Sequence, residues 1–155
     1  MAVSANALDF WSRFRAVNRD VRDDAEYQVW YFGNTPEMAS ELAELVLIGR
    51  KTATASLAAT NEIKPDEAPF AYGYSIVTDF YGEPVCVVQT VEIRHLPFAE
   101  VDAQFAFDEG EGDRSLSYWR SVHHEYFSRE AALLGIDLDE RSIVCCERLI
   151  LLYPK

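Results

Sequence analysis

The segment GRKTATAS at positions 49–56 concentrates groups that could do chemistry. It places two cations, Arg50 and Lys51, beside three hydroxyl groups, where a predicted helix ends at Gly49 and a predicted strand follows. A helix-to-strand joint of this kind can hold an anionic or carbonyl-bearing ligand. Because side chains alternate along a regular strand, Lys51 and Thr54 can converge only if Lys51 belongs to the turn.

A second concentration lies at positions 108–114, where four acids and two glycines occur within one short stretch. Glycine lets the backbone approach a ligand closely, and Glu109 or Glu111 could place a carboxylate opposite Lys51. The alternative is a solvated turn in which Asp113 caps the following helix.

These groups allow two assignments of a hydrolytic mechanism. If Thr54 is a nucleophile, Lys51 can be its base only after losing a proton, which costs about 4.6 kcal/mol at neutral pH. An ionised Glu111 nearby favours the ammonium instead. Lys51 would then be an electrostatic clamp that stabilises an oxyanion, while Glu111 activates water or Thr54. The residues alone leave both assignments open.

Two other functions would use the same residues differently. In a ribonuclease, Arg50, Lys51 and Arg114 would hold a phosphate while Glu111 or a histidine moved protons. In a binding module without catalysis, the cations would act together with an aromatic side chain, Trp30, Tyr31 or Trp119, that stacks on a base.

The elements that must position these groups follow from hydrophobic periodicity, caps and breakers. Helices are predicted over positions 5–18, 36–48, 96–107 and 114–134. Strands are predicted over positions 27–33, 52–57, 72–79, 84–94 and 142–153. The third and fourth strands should form a hairpin, and the first helix should pack through Leu8, Trp11 and Phe14. A hairpin plus isolated strands favours an α+β fold with a mixed or antiparallel sheet or small barrel.

Composition limits the class of protein. The chain has 14 basic and 26 acidic residues, a net charge of −12, which is opposite to the basic surface of a protein that coats nucleic acid. No stretch approaches about 18 consecutive apolar residues, and the N terminus lacks a leader pattern, so we expect a cytoplasmic chain with no membrane partner. The cysteines lie in apolar segments without metal-ligand spacing, and the adjacent His123 and His124 diverge on a helix. Neither a metal site nor a cofactor is therefore expected.

Taken together, the motifs resemble the ASCH domain family, in its larger bacterial branch, which is related to PUA-like RNA-binding domains. The resemblance rests on GRKTATAS after an amphipathic helix, on VWYFGNTPE, and on FDEGEGDRSLSYWRSVHHEYF, and it covers most of the chain. It implies one domain over residues 1–155: a small mixed or antiparallel PUA-like β-barrel with flanking helices and an N-terminal helical extension. The motifs would line a cleft between barrel and helices. The chain departs from the family's common Gly-Asp step, with Gly73-Tyr74 instead.

Members of this family include RNA-interacting modules, a ribonuclease and a small amidohydrolase that acts on N4-acetylcytidine. Similarity to that hydrolase implies that Lys51, Thr54 and Glu111 are catalytic, with Glu109 as the alternative acid. The residues expected to bind substrate in the same cleft are Arg50, Thr52, Glu109, Asp113, Arg114 and Trp30.

The resemblance therefore implies a metal-independent hydrolase of an acylated pyrimidine nucleoside. The alternatives are a ribonuclease on single-stranded RNA and a non-catalytic RNA- or nucleotide-binding module. The net charge of −12 favours the small substrate, because long RNA would be repelled everywhere outside the cleft.

Overall fold

A computed structural model of the chain describes residues 3–155 and shows an α+β fold, as predicted. In chain order the elements are α1 (Ala5–Val17), β1 (Tyr27–Trp30), α2 (Pro36–Leu47), β2 (Ala53–Leu57), α3 (Ala58–Ile63), β3 (Tyr74–Thr78), β4 (Pro84–Pro97), α4 (Ala103–Glu109), α5 (Leu116–Leu133) and β5 (Ile143–Tyr153). Short 3₁₀ turns cover Pro65–Glu67 and Phe98–Glu100. Within residues 3–155, no helix combines the length and apolar character that a membrane span requires.

The strands form one mixed sheet in the order β1-β3-β4-β5-β2. β1 runs parallel to β3, and the other neighbouring pairs are antiparallel. β1 and β2 lie at opposite ends of this order, so the sheet is open and the predicted closure into a barrel is wrong. Closure would require these two strands to pair with each other. They are only four and five residues long, and α2 lies between them in the chain.

The long strands β4 and β5 bend. Register shifts occur between Val87 and Val88 and between Thr90 and Glu92, and such irregularities bend a strand and increase its twist. β4 can therefore pair with β3 through residues 84–89 and with β5 through residues 87–97.

Helices cover both faces of the sheet. Ile76 and Val77 are neighbours on β3, and their side chains point to opposite faces. Ile76 packs in a cluster with Trp11 and Phe14 of α1, whereas Val77 packs with residues of α2. A third cluster joins α4 and α5 to β2 and β5 around Phe105, Trp119, Phe127 and Val144. Cys86, Cys145 and Cys146 are buried, as their apolar settings predict.

The signals that flank α2 act as predicted. The hydroxyl of Thr35 accepts a hydrogen bond from the Met38 amide at 3.1 Å, and Pro36 occupies the first helical position. Gly49 follows the helix with a φ of +79°, which is the left-handed region that favours glycine. The β3–β4 hairpin also forms as predicted.

Three local predictions differ from the structure. The helix expected over positions 96–107 begins only at Ala103, because β4 continues to pair with β5 as far as Pro97. α1 buries Ala7 with Trp11 and Phe14, whereas Leu8 is 52% exposed, since positions 7, 11 and 14 share one helical face. α3 was not predicted, because six residues are too few to show a helical period.

Candidate active site

Lys51 lies at the end of a turn and not in a strand. The amides of Arg50 and Lys51 both donate to the carbonyl oxygen of Leu45, at 2.9 and 3.0 Å, and β2 begins after them. Lys51 therefore belongs to the turn, which is the condition under which its side chain and that of Thr54 can converge. Lys51 and Thr54 line one cavity.

A buried ion cluster surrounds the Lys51 ammonium. Its Nζ lies 2.8 Å from Oε1 of Glu109 and 2.9 Å from Oε2 of Glu111. It also donates to the carbonyl oxygen of Glu109 at 3.3 Å. The side chains of Lys51 and Glu109 are 1% exposed, whereas that of Glu111 is 13% exposed. An ammonium has three N–H donors, so each of them has an acceptor in this cluster.

This environment keeps Lys51 protonated. Burial alone would lower the pKa of Lys51, but the charges and hydrogen bonds of Glu109 and Glu111 outweigh burial and raise that pKa above its ordinary value. An ammonium with a raised pKa is not a ready base at neutral pH. The geometry therefore fits an electrostatic clamp better than a general base.

Glu109 is held from a second side by α5. Its Oε2 accepts a hydrogen bond from the indole N–H of Trp119 and lies 3.3 Å from Nε2 of His123. Nδ1 of His123 lies 2.9 Å from the carbonyl oxygen of Trp119. Because both ring nitrogens of His123 face oxygen acceptors, the doubly protonated ring satisfies both contacts.

The pKa values of this pair shift in opposite directions. Burial alone would lower the pKa of His123, but the charge and hydrogen bond of Glu109 raise it above its usual value. Burial alone would raise the pKa of Glu109, but the positive charges of Lys51 and His123 hold that pKa well below its usual range. Glu109 is therefore an ionised carboxylate that anchors the cluster.

Glu111 differs from Glu109 in its access and its basicity. It lines the cavity, and in the cluster it accepts a hydrogen bond from Lys51. Burial and the adjacent charge of Glu109 raise the pKa of Glu111, and the attraction of Lys51 offsets this only in part. Glu111 is therefore a better proton acceptor than an exposed glutamate.

The cavity has a volume of about 260 Å³. Its aromatic lining residues are Trp30, Tyr31, Phe32 and Tyr126, and its uncharged polar ones are Gln28, Thr54, Ser56 and Asn61. Aromatic walls with a few convergent polar groups are typical of sites that bind small molecules.

A further carboxyl group, Glu147 of β5, also lines the cavity. It is 6% exposed, and its Oε1 accepts a hydrogen bond from the hydroxyl of Thr90 at 3.0 Å. The pKa of Glu147 is raised to about 7, chiefly by burial; the charge of Glu109 adds to the increase, whereas the hydrogen bond from Thr90 and the charge of Lys51 oppose it. This carboxyl group can therefore gain or lose a proton near neutral pH.

The structure brings five of the predicted site residues to the cavity. They are Trp30, Lys51, Thr54, Glu109 and Glu111. The choice between Glu109 and Glu111 is not exclusive, because both bind Lys51, one as an anchor and the other at the cavity surface.

Arg50 and Arg114 lie outside the lining of the cavity and brace the acidic turn. Arg50 donates to the carbonyl oxygens of Gly110 at 2.9 Å and Gly112 at 2.8 Å. Arg114 donates to the carbonyl oxygen of Phe107 at 2.9 Å, and its guanidinium carbon lies 3.6 Å from the centre of the Phe107 ring.

Thr52 and Asp113 are likewise placed in the frame of the turn. The amide of Thr52 donates to the carbonyl oxygen of Asp108 at 2.7 Å. The carboxylate of Asp113 accepts from the amide of Ser115 at 2.8 Å, and Ser115, not Asp113, caps α5. Arg50, Thr52, Asp113 and Arg114, which were expected to touch substrate, therefore lie outside the cavity lining and bind the backbone of residues 107–115, the segment that carries Glu109 and Glu111.

Two residues at the site, His123 and Glu147, were not predicted. Signals for both exist in the sequence. Trp119 and His123 are four residues apart on one helix face, and Glu147 is a lone acid inside the apolar segment IVCCERLILLY. A charge in such a segment needs a partner or a function.

The same acids could in principle bind a cation. Glu109, Glu111 and His123 offer ligand atoms that lie within 4.8 Å of one another. The Lys51 ammonium already lies within hydrogen-bond distance of both carboxylates, so a metal ion would have to displace it. A reaction without metal stays a prediction, and a chelator tests it.

Comparison with known proteins identifies the family. A family model described as ASCH domain matches residues 28–153. The crystal structure of an ASCH domain from Lactobacillus crispatus JV V101 is similar at 28% identity with a TM-score of 0.91, covering 99% of this chain and 98% of that one. Protein EF3133 from Enterococcus faecalis V583 is similar at 29% identity with a TM-score of 0.84, covering 96% and 90%. A search of curated proteins found no match.

Proposed function

The chain belongs to the ASCH domain family, and we propose that it is a metal-independent hydrolase of an acylated pyrimidine nucleoside, with an amide of the N4-acetylcytidine type as substrate. The observation that carries this proposal is the buried Lys51 ammonium, bound by two carboxylates beside a small cavity that Thr54 also lines. One ligand in this cavity would meet a cationic hydrogen-bond donor in Lys51, a proton acceptor in Glu111 and a hydroxyl nucleophile in Thr54.

In the first step, the carbonyl oxygen of the substrate replaces Glu111 at one donor of the Lys51 ammonium. Glu111 is the carboxylate that can exchange, because Glu109 is also held by Trp119 and His123. The released Glu111 accepts the proton of the Thr54 hydroxyl while the oxygen of that hydroxyl attacks the acyl carbon of the substrate. The negative charge that develops on the carbonyl oxygen is stabilised by Lys51 in a site of low dielectric.

In the second step, the carbon–nitrogen bond breaks. The acyl group stays on Thr54 as an ester, and the nucleoside leaves as an amine after taking up one proton. Water then cleaves the ester, which restores the Thr54 hydroxyl and releases the carboxylic acid.

The charges of the cavity favour a neutral substrate over a phosphate. Its described lining includes five carboxyl groups and two basic groups. The carboxyl groups are Glu67, Glu109, Glu111, Glu130 and Glu147, and the basic groups are Lys51 and His123. Arg50 and Arg114, the cations that a ribonuclease would need, bind backbone carbonyls outside this lining. The ribonuclease and RNA-binding alternatives therefore have less support.

A pair of threonine variants tests the proposal. Thr54→Val removes the nucleophile with little change in volume, and Thr52→Val makes the same change at an exposed side chain outside the cavity while keeping the Thr52 amide that donates to Asp108. With a metal chelator present, we expect the wild type and Thr52→Val to hydrolyse N4-acetylcytidine at rates within about twofold of each other, and Thr54→Val to be at least about 10²-fold slower.

A labelled single-stranded RNA, assayed in parallel, decides between the alternatives. Cleavage of the RNA without turnover of N4-acetylcytidine would overturn the proposal in favour of a ribonuclease. If neither substrate reacts but a nucleotide raises the melting temperature, the protein is a binding module.

A further inference from the structure

Glu147 is a buried carboxyl group to which the steps above assign no role. It lies on β5 directly opposite Thr54 of β2 in the antiparallel register. Residues paired in this way project to the same face of a sheet, with Cβ atoms about 4.5–5.5 Å apart. Glu147 is thus close to the proposed nucleophile, and both line the cavity.

Among residues 3–155, no cation is in salt-bridge contact with Glu147. Thr90 of β4 donates a hydrogen bond to it, and Glu109 of α4 adds negative charge to its surroundings. Lys51 attracts its charge only weakly, because the ammonium is in direct contact with Glu109 and Glu111. A buried carboxyl group in such a setting holds its proton more strongly than an exposed one.

The proposed reaction needs a proton at this place. When the carbon–nitrogen bond breaks, the departing nitrogen must gain a proton, and in the proposed first step Glu111 is already assigned to the attacking Thr54 oxygen. Lys51 is occupied with the carbonyl oxygen. A neutral carboxyl group beside Thr54 is suited to protonate the leaving group.

We propose that Glu147 is the general acid that protonates the departing amine, an inference that rests on the proposed amide hydrolysis. The Glu147 O–H bond breaks as the nitrogen–hydrogen bond of the amine forms, and Glu147 is left as a carboxylate. Glu111 has meanwhile gained the proton of Thr54. Solvent then carries one proton from Glu111 to Glu147, so both groups return to their starting states.

Two variants test this role through the dependence of kcat on pH. A general acid acts only in its protonated form, so the kcat of the wild type should fall as pH rises through about 7. Glu147→Gln cannot donate a proton, and we expect its kcat for N4-acetylcytidine to be about 10²–10⁴-fold lower, without that alkaline decline. Thr90→Val removes the hydrogen bond that favours the carboxylate, so its alkaline decline should move to higher pH.

A purely structural role for Glu147 would not move the alkaline decline in Thr90→Val, which keeps the carboxyl group. An unmoved decline in Thr90→Val, or a decline retained in Glu147→Gln, would overturn the inference while leaving the hydrolase intact. An increase in the melting temperature of each variant on addition of N4-acetylcytidine would verify that the variant folds and binds this substrate. If the wild type fails to hydrolyse N4-acetylcytidine at every pH, the proposed function itself fails, and the role of Glu147 falls with it.

Discussion

Removing the Lys51 ammonium would leave Glu109 and Glu111 as two neighbouring carboxylates in a buried site. Breaking a buried ion pair on one side costs about 3–5 kcal/mol, because the remaining charge is uncompensated. We therefore expect Lys51→Met to lower the free energy of unfolding by that amount at pH 7, measured by urea denaturation. Lys64→Met is the matched control. Its side chain is 60% exposed and its ammonium lies 4.0 Å from the Glu67 carboxylate, so the control should change stability by less than about 1 kcal/mol.

The effect of Lys51→Met should also depend on pH. Because the folded-state pKa of Glu109 is depressed, its contribution to stability is present above the ordinary glutamate pKa and is lost as pH falls below it. The variant lacks the ammonium that depresses this pKa, so the difference in stability should shrink toward about pH 3. A difference that is constant with pH would mean that Lys51 contributes through packing and not through charge.

The residues at the site differ in how far sequence could predict them. Lys51 and Thr54 follow from a short local motif, since Gly49 ends the helix and leaves Lys51 in the turn. The sequence does not show that Glu109 anchors the cluster whereas Glu111 faces the cavity, because this difference depends on the contacts that Trp119 and His123 of α5 make with Glu109. The position of Glu147 depends on its register with β2, which no local pattern contains.

At the scale of elements, the turn between α4 and α5 positions both acids through contacts that only glycine permits. Gly110 has a φ of +74°, and a Cβ atom there would overlap the carbonyl oxygen of Arg50. Gly135 has the same φ, but in the described part of the chain no atom beyond its immediate neighbours lies within 4 Å of the place a Cβ atom would take. Substituting alanine at each glycine therefore distinguishes two effects: the strain of a left-handed backbone, which both positions share, and the steric overlap with Arg50, which occurs at Gly110.

We expect Gly135→Ala to lower the free energy of unfolding by about 1–2 kcal/mol, the cost of a left-handed alanine, without changing the hydrolysis rate. Gly110→Ala should lose more stability, and it should also lose activity, because the turn must move away from Arg50 and carry Glu109 and Glu111 with it. Urea denaturation and the rate of N4-acetylcytidine hydrolysis measure the two effects. Equal losses of stability, with activity intact in both variants, would show that the contact with Arg50 does not position the acids.

Elements were predictable where their signals are local. The caps of α2 and the β3–β4 hairpin are set by residues that adjoin them in the chain. The extent of β4 is different, because residues 95–97 are held by pairing with β5, almost fifty positions later in the sequence. The open sheet has the same origin, since closure depends on how two short end strands lie in space and not on either strand's own pattern.

At the scale of the whole molecule, the net charge of −12 predicts how the affinity for a phosphate-bearing ligand changes with salt. A protein that binds nucleic acid by neutralising phosphates loses affinity as salt increases, because counterions are released on binding. Here a phosphate would meet the negative electrostatic field of the protein, which salt screens.

We expect cytidine 5′-monophosphate to bind more weakly than cytidine at about 20 mM salt, and we expect this difference in affinity to be smaller at about 300 mM salt. Calorimetric titration of both ligands measures this, and cytidine is the control, since the affinity of a neutral ligand should change less than about twofold. Tighter binding of the phosphate at low salt, weakening as salt rises, would contradict the neutral-substrate hypothesis and would support an RNA ligand.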